Sequence, residues 1–281
     1  MTAPLRLVLL TAVTMTAFAA NSLLNRAALA GDLIDPVGFA VLRTVSGALA
    51  LAAPSLALGR GLPVGPRIRQ AGGAALATYM LGFSLAYVAL DAGAGALILF
   101  GGVQVTMLAG AFLLREPVPP RRIAGVALAL GGLVGLTLPT MGMVPSPGAA
   151  ALMGLAAAGW GAYALIGRRA GDPVAVTAAH FVLAVPVVCL ALPFADLRMT
   201  AAGAALGVVS GVVTSGLGYA LWYSVIPALG AGRAAAAQLT VPVIVLALAA
   251  LLLGEPVTLP LIVAAAVILA GVALAVLPGR R

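Results

Sequence analysis

The sequence predicts an all-α integral membrane protein with ten transmembrane helices, arranged as two inverted five-helix repeats. Three observations lead to this fold class: an extreme apolar composition, apolar runs long enough to cross a bilayer, and matching segments in the two halves of the chain. Hydrophobic residues make up 63% of the chain and charged residues only 8%, far from the averages of soluble domains. A soluble domain of this length could not bury so much apolar surface.

Matching segments at one constant spacing indicate that the chain contains two copies of one unit. Residues 89–93 (ALDAG) recur as residues 228–232 (ALGAG), and Glu116 and Glu255, each followed by Pro-Val, recur at the same spacing. Each copy holds an odd number of predicted helices, so the copies must cross the bilayer in opposite directions. Such inverted repeats are typical of carriers with alternating access. The two expected units, which together form one transport domain, are residues 1–139 and residues 140–281.

Apolar runs between charged or Pro/Gly-rich breaks predict ten spans. Each run is about 20 residues long, the length that a helix needs to cross the hydrocarbon core. The strands of a membrane barrel would instead show short alternating patterns. Five spans precede the Pro/Gly-rich connector at residues 139–148, and five follow it. The predicted spans are residues 4–25, 36–58, 68–90, 93–114, 120–138, 148–167, 173–193, 201–226, 231–253 and 258–277.

The arginines predict the orientation, because cytoplasmic loops retain basic residues. All 15 basic residues are arginines. If the N-terminus is cytoplasmic, only Arg26 and Arg198 fall on the opposite side, and Arg43 lies inside the second span. We therefore expect a multi-pass protein of the bacterial inner membrane with both termini in the cytoplasm. The arginines expected on the cytoplasmic side are Arg6, Arg60, Arg67, Arg69, Arg115, Arg121, Arg122, Arg168, Arg169, Arg233, Arg280 and Arg281.

The first span has an alternative interpretation as a secretory signal. Arg6, the apolar stretch after it and an Ala-Phe-Ala site resemble such a signal with its cleavage position. Its removal would leave nine helices and break the repeat. Phe18 and Arg26 match Trp160 and Arg168 in the second half, so we favour an uncleaved first helix.

The two five-helix units, each with a Glu-Pro pair between its fourth and fifth spans, resemble the EamA family of the drug/metabolite transporter superfamily. Asn21-Ser22 late in the first span, Asp35-Pro36 at the start of the second and Arg43 complete the pattern. The resemblance covers essentially the whole chain. It implies a ten-helix exporter of metabolites, and one subgroup, the YddG type, exports amino acids, including aromatic ones. It also implies a central cavity lined by helices 1–4 and 6–9, with helices 5 and 10 at the periphery.

Arg43 and His180 are ionisable side chains that lie well inside predicted spans. Arg43 would cost about 2.5–3.5 kcal/mol in a membrane helix, so it either faces the cavity and attracts a carboxylate, or snorkels to the headgroups, or binds neighbouring carbonyls. His180, its counterpart in the second half, titrates nearest to neutral pH and is either a proton-handling group or a packing histidine. All acidic residues fall at or beyond span ends. We therefore expect transport that needs no buried carboxylate, with passive facilitation as the simplest version.

Aromatic and amide side chains on the expected cavity helices are further candidates for substrate binding. Aromatic stripes lie on the third span and on the eighth, where Tyr219, Trp222 and Tyr223 share a face; such stripes also serve as packing or interfacial belts. Amides within spans also tie helices together. The predicted substrate-binding residues are Asn21, Arg43, Tyr79, Phe83, Gln104, Trp160, Tyr163, His180 and Gln238.

A ladder of small residues, Gly203, Gly207, Gly211 and Ser215, recurs at every fourth position of the eighth span. Small residues at this spacing allow two helix backbones to approach closely. The ladder therefore predicts tight packing of this helix against a neighbour, either as a static contact or as a sliding gate.

The sequence favours a carrier that exports small amino acids or related metabolites, including aromatic or apolar amino acids. It contains no residue cluster at metal-ligand spacing, no buried carboxylate pair and no P-loop, so we expect no catalytic residue, metal or cofactor. The expected partners are a small-molecule substrate and the lipid bilayer, and a nucleic acid is not expected. The oligomeric state stays open. The alternatives are a phosphorylated-sugar or nucleotide-sugar exchanger and, in a different class, a membrane-embedded enzyme or lipid-handling scaffold.

Overall fold

The computed structural model describes residues 3–59, 61–116, 118–136, 146–167, 171–238 and 240–276. In chain order the described helices are α1 (Ala3–Ala30), α2 (Pro36–Ala57), α3 (Arg67–Ala86), α4 (Ala92–Leu113), α5 (Pro120–Leu136), α6 (Pro147–Gly167), α7 (Pro173–Cys189), α8 (Ala201–Val209), α9 (Gly218–Gln238), α10 (Thr240–Leu253) and α11 (Leu259–Val276). Between α8 and α9 the chain continues without a break as a π-helix, Ser210–Leu217, called the π segment below. A 3₁₀ turn follows α7 at Leu192–Phe194.

The described helices fit a bilayer in length and surface. Five stretches are long and apolar enough to cross a membrane, namely α1, α2, α4, α6 and the continuous stretch Ala201–Leu229 that includes the π segment. The apolar helices α7, α10 and α11 are shorter. Large apolar side chains face outward, and Leu113 and Leu251 are 84% and 78% exposed. Such a surface is expected where side chains contact lipid tails.

The predicted loop between the eighth and ninth spans, at residues 227–230, is wrong. The helix continues through Pro227 to Gln238, whereas the matching segment of the first half forms the turn between α3 and α4. A physical reason lies at the start of α4, where Asp91 occupies the N-cap and Glu255 accepts hydrogen bonds from the free backbone N–H groups. In the second half Gly230 replaces the aspartate, and alanines, the best helix formers, follow it. The predicted connector at 139–148 falls mostly on residues 137–145, which lie outside the described part of the chain.

The Asp35-Pro36 pair predicted to open the second span is confirmed as an N-terminal cap, and Asp172-Pro173 caps α7 in the same way. Asp35 Oδ2 accepts a hydrogen bond from Gly38 N at 2.6 Å, and Asp172 Oδ1 accepts from Val174 N and Ala175 N at 2.9 and 3.1 Å. In both helices the proline occupies the first turn, where its missing N–H has no intrahelical partner to lose. These caps fix where α2 and α7 begin, and therefore the depth of Arg43 and His180.

Helix contacts occur in sets that match between the two halves of the chain. The contact of α3 with α6 corresponds to that of α8–α9 with α1, and the contact of α4 with α6 corresponds to that of α10 with α1. The contact of α3 with α7 likewise corresponds to that of the π segment with α2. Two further pairs join corresponding helices, α2 with α7 and α5 with α11. Each of these contacts therefore has a counterpart when the halves are exchanged.

The two matching glutamates lie at opposite ends of α3. Glu255 binds Arg26, which also donates to the carbonyl of Tyr87, the residue that follows α3. Glu116 instead lines a groove with Arg69, which belongs to the first turn of α3. The two matching glutamates are thus separated by about the length of α3, a helix of 20 residues or about 30 Å.

The small-residue ladder of α8 and the π segment lies against α2 and the loop before it. A methyl group added to Gly203 would overlap the carbonyl of Leu33, and one added to Gly211 would overlap the carbonyl of Arg43. This confirms the close helix approach that the ladder predicts.

The pairing of α5 with α11 leads to a stability prediction. A methyl group at Gly125 would overlap the backbone of Gly271 and Ala275, whereas one at Gly131 on the same helix meets open space. We expect Gly125→Ala to reduce the free energy of unfolding by about 1–3 kcal/mol through overpacking. Gly131→Ala, the matched control, should be neutral or stabilising by up to about 1 kcal/mol. Thermal unfolding of the purified proteins in detergent measures both, and equal melting temperatures would contradict the close backbone contact.

Candidate functional site

A small cavity lies at the centre of the bundle, where α1, α3, α4, α6 and α9 meet. Its volume is about 10 Å³, the lower limit for a single water molecule. The helices that line it are therefore in close contact. The cavity is lined by Phe18, Asn21, Ser22, Tyr79, Phe83, Leu99, Phe100, Trp160 and Tyr219.

Tyr79 is the centre of a hydrogen-bond cluster on one wall of the cavity. Its hydroxyl oxygen accepts from Asn21 Nδ2 at 3.2 Å, from Arg43 Nη2 at 3.1 Å and from the Tyr219 hydroxyl at 3.1 Å. Tyr79 and Tyr219 hold nearly corresponding places in the two halves, since they precede the matching segments at 89–93 and 228–232 by ten and nine residues. The bond between their hydroxyls therefore joins the halves at the cavity.

Arg43 lies directly behind this wall and is fully buried, so the snorkelling alternative does not apply. Its Nε donates to Ser215 Oγ at 2.8 Å, and Nη2 also donates to the Tyr219 hydroxyl at 2.7 Å. Its Cζ lies 5.1 Å from the centre of the Tyr79 ring and 5.2 Å from that of Phe83, in cation–π range. Nη1 has no hydrogen-bond partner. The guanidinium is thus held by hydroxyls and ring faces.

No acidic side chain balances the charge of Arg43 within the described residues. The seven acidic residues of the sequence all lie in loops or at helix caps, as predicted. Burying a charge without a counter-charge is costly, so this arrangement indicates a site that uses the charge. The acidic residues are Asp32, Asp35, Asp91, Glu116, Asp172, Asp196 and Glu255.

Asn21 connects α1 to the π segment. Its Oδ1 accepts from the hydroxyls of Ser210, Thr214 and Ser215 at 2.8, 3.1 and 3.4 Å. A π-helix bonds each N–H to the carbonyl five residues earlier, which widens the turn, and such segments are frequent at functional sites. The wider turn lets these three hydroxyls face the same amide oxygen.

Aromatic rings form the adjoining wall, where Trp160 contacts the Tyr79 ring with ring centres 5.1 Å apart. Trp160 lies edge-on to Phe18 with ring centres 5.5 Å apart and contacts Tyr219 at 4.7 Å. Phe18 and Trp160 are the matching positions of the two halves. The Trp160 Nε1 donor is buried without a partner. The cavity therefore has a polar wall at Tyr79 and an apolar wall at Trp160.

Five of the predicted binding residues lie outside the cavity lining: Arg43 directly behind it, and four others further away. Tyr163 stacks beneath Trp160 with ring centres 5.4 Å apart. His180 is buried edge-on to Tyr163, and both of its ring nitrogens lack partners. Gln104 is buried on α4, and Gln238 ends α9 with its Oε1 unpartnered. The structure thus brings together Asn21, Arg43, Tyr79, Phe83 and Trp160.

Five residues of the cavity lining were not among the predicted binding residues: Phe18, Ser22, Leu99, Phe100 and Tyr219. Tyr219 was visible in the aromatic stripe of the eighth span, and Phe18 was visible as the match of Trp160. Ser210 and Thr214 gave no separate signal, because a hydroxyl in a helix usually bonds to the carbonyl four residues earlier. Only the π segment turns these hydroxyls toward Asn21.

A second polar cluster closes one end of the bundle. Arg26 donates to Asp91 at 2.9 Å and to Glu255 at 3.2 Å, and Glu255 also accepts from the backbone N–H of Ala92 at 2.8 Å. These three charged side chains, called the Arg26 network below, tie α1 to the turn between α3 and α4 and to the loop between α10 and α11. Ser22 of the cavity lies one helical turn before Arg26.

The hydroxyl of Tyr79 gives a second stability prediction. Tyr79→Phe removes one acceptor from each of three buried donors, so we expect a loss of about 1–3 kcal/mol in the free energy of unfolding. Tyr87→Phe is the matched control, since its hydroxyl donates a single bond, to the carbonyl of Ala92 at 3.3 Å. It should cost less than about 1 kcal/mol. Melting temperatures in detergent compare the two, and an equal decrease would contradict the central role of Tyr79.

The chain resembles known proteins over nearly its whole length. The EamA-like transporter family matches residues 148–277. The chain is 47% identical over 275 residues to the protein of Pseudomonas aeruginosa described as uncharacterized protein PA1977, covering 97% of this chain and 95% of that protein. A crystal structure of another protein has a TM-score of 0.69 at 20% identity, covering 95% of this chain and 97% of that one. At this identity the similarity concerns the fold alone.

Proposed function

The chain belongs to the EamA-like transporter family, and from this we propose that it exports small amino acids and related apolar carboxylates across the bacterial inner membrane. Its family and its apolar helices make it a multi-pass membrane protein that transports small molecules. Beyond this, we propose a substrate class, a direction of transport and a transport mechanism.

The buried charge of Arg43 carries the substrate proposal. The charge lies one residue layer from a cavity with aromatic walls, and Nη1 lacks an acceptor. A carboxylate satisfies such a donor through a charge-assisted hydrogen bond, while the rings of Phe18 and Trp160 pack against an apolar side chain. A phosphorylated sugar would call for several basic residues, and Arg43 is the basic residue at this centre.

The proposed mechanism is alternating access between two inverted units, residues 1–139 and 140–281. The matching sets of helix contacts support the duplication, and the placement of Glu116 and Glu255 at opposite ends of α3 supports the inversion. The Tyr79–Tyr219 and Phe18–Trp160 contacts support a site on the seam between the units. In this mechanism the halves rock about the seam and open the cavity to one side at a time.

We further propose that the carrier is an uncoupled facilitator with both termini in the cytoplasm. The position of every acidic residue at a helix end supports the absence of a carboxylate proton relay. His180 is the remaining candidate for proton coupling, and its place away from the cavity lining supports packing instead. In this orientation the Arg26 network lies on the outer side.

Counterflow in proteoliposomes tests the proposed function. Vesicles loaded with unlabelled apolar and aromatic carboxylates, both amino acids and related acids, should accumulate the labelled compound with saturable kinetics. An imposed proton gradient should not drive uptake. The absence of saturable exchange across the whole panel would contradict the proposal.

A further inference from the structure

Around the cavity, buried hydrogen-bond donors outnumber the acceptors open to them. Trp160 lines the cavity and its Nε1 has no acceptor, and Arg43 Nη1 lies behind the wall without one. Three donors surround the Tyr79 oxygen, which has only two lone pairs to accept them. Buried donors without partners are rare in proteins, so this surplus points to a ligand that supplies acceptors.

The side-chain amide oxygens near the cavity are already occupied. Asn21 Oδ1 accepts three hydroxyl protons, and Asn25 Oδ1, one turn further along α1, accepts from Ser84 at 3.2 Å. Within the described residues the carboxylates lie at helix ends and in loops, and backbone carbonyls inside helices accept bonds from the helix itself.

This environment offers few hydrogen-bond acceptors to an ammonium group of a substrate. Such a group carries three donors and no lone pair, and it would find neither a carboxylate nor an unoccupied amide oxygen. The positive charge of Arg43 behind Tyr79 also repels it. The faces of Tyr79 and Phe83 are themselves taken by the guanidinium.

We propose that this site prefers apolar carboxylates that lack an α-ammonium group, such as 2-oxo acids and arylalkanoic acids, to the corresponding amino acids. This inference rests on the proposed function, because it narrows the class of carboxylates that the carrier exports. The carboxylate lies at the Tyr79 wall in front of Arg43 and accepts hydrogen bonds from the donors there, while Trp160 Nε1 donates to the 2-oxo group of an oxo acid. The apolar side chain packs against Phe18 and Phe100.

Matched substrate pairs test the preference. Phenylpyruvate and phenylalanine, like 4-methyl-2-oxopentanoate and leucine, share a side chain and a carboxylate but differ at the α-carbon. In proteoliposome counterflow, each oxo acid should reach half-maximal exchange at a concentration at least about 10-fold lower than its amino acid, a difference of about 1.4 kcal/mol. Phenylpropanoate should behave like phenylpyruvate to within about 5-fold, since one hydrogen bond contributes about 1 kcal/mol. Phenethylamine, which has only the ammonium, should not compete.

A pair of tryptophan variants tests the donor itself. Trp160→Phe removes the unpartnered donor of the cavity, and Trp222→Phe removes an equally buried, unpartnered donor that does not line it. Trp160→Phe should raise the half-maximal concentration of phenylpyruvate about 5- to 10-fold while leaving that of phenylalanine within about 2-fold. Trp222→Phe should leave both unchanged.

The outcomes separate this inference from the proposed function. If the amino acids reach half-maximal exchange at equal or lower concentrations than the oxo acids, the preference for acids without an ammonium group is wrong. The proposal that the protein carries carboxylates would not be affected. Saturable exchange of none of the carboxylates would overturn both. If Trp160→Phe raises the half-maximal concentration of phenylpyruvate no more than Trp222→Phe does, Trp160 Nε1 does not contribute to specificity.

Discussion

Arg43→Met is expected to lower kcat/KM for carboxylate exchange at least about 100-fold, which corresponds to about 2.7 kcal/mol of lost transition-state stabilisation. The guanidinium contacts Tyr79, Phe83 and Tyr219 of the cavity lining, and methionine has similar length but no donor. The melting temperature should stay the same or rise, because replacing a buried charge by an apolar side chain is often neutral or stabilising. Counterflow and thermal unfolding on the same preparation measure the two effects.

Arg198→Met is the control for this prediction. Arg198 pairs with Asp32 at 3.0 Å on an exposed surface, where ion pairs contribute little. Its replacement should change neither the exchange rate nor the melting temperature. Exchange by Arg43→Met at more than a tenth of the parent rate would show that the charge serves the fold rather than the substrate.

Glu255→Gln is expected to open the end of the bundle that the Arg26 network closes. The substitution removes a partly buried ion pair with Arg26 and weakens the acceptor for the first N–H groups of α4, where a negative charge is most favourable. The test uses a Cys189→Ala background with a cysteine placed at Ser22. With Glu255→Gln, this cysteine should react with a membrane-impermeant maleimide from outside at least about 10-fold faster than without it, which corresponds to a decrease of about 1.4 kcal/mol in the free energy of opening.

The matched control is Asp196→Asn, which breaks the exposed pair of Asp196 with Arg198 at 3.4 Å. We expect labelling at Ser22 to stay within about 2-fold of the parent, since an exposed pair contributes at most about 1 kcal/mol. Labelling that is equally slow in Glu255→Gln would contradict a closing role for the network. Labelling from the opposite side only would contradict the proposed orientation.

The sequence predicted the helices and the polar core of the site because both follow from the cost of polar groups in lipid. Asn21, Arg43 and Tyr79 stand out in apolar helices for that reason, and the structure joins them in one hydrogen-bonded cluster. The Asp35 and Asp172 caps were visible because capping depends on residues close in sequence.

The other features of the site could not be predicted, because they depend on which face of each helix packs toward the cavity. Gln104 and Gln238 carry the same polar amide as Asn21, yet packing turns them away from the cavity lining. Tyr219 could not be chosen over Tyr223 on the same stripe, because the π segment before it changes the register of the face. The helix through residues 227–230 was missed because its match at Asp91 forms a turn only with the help of Glu255, a residue distant in the chain.

The uncompensated guanidinium has a consequence for the energy source of transport. A monoanion that binds beside Arg43 carries net negative charge across the bilayer, so an uncoupled cycle is electrogenic. The interior-negative voltage of a bacterial cell then favours efflux by about 2.3 kcal/mol per 100 mV, enough to sustain a concentration ratio of about 50-fold. A valinomycin-imposed potassium potential should accordingly speed phenylpyruvate efflux from vesicles, and an efflux rate insensitive to that voltage would mean that the charge is compensated during passage.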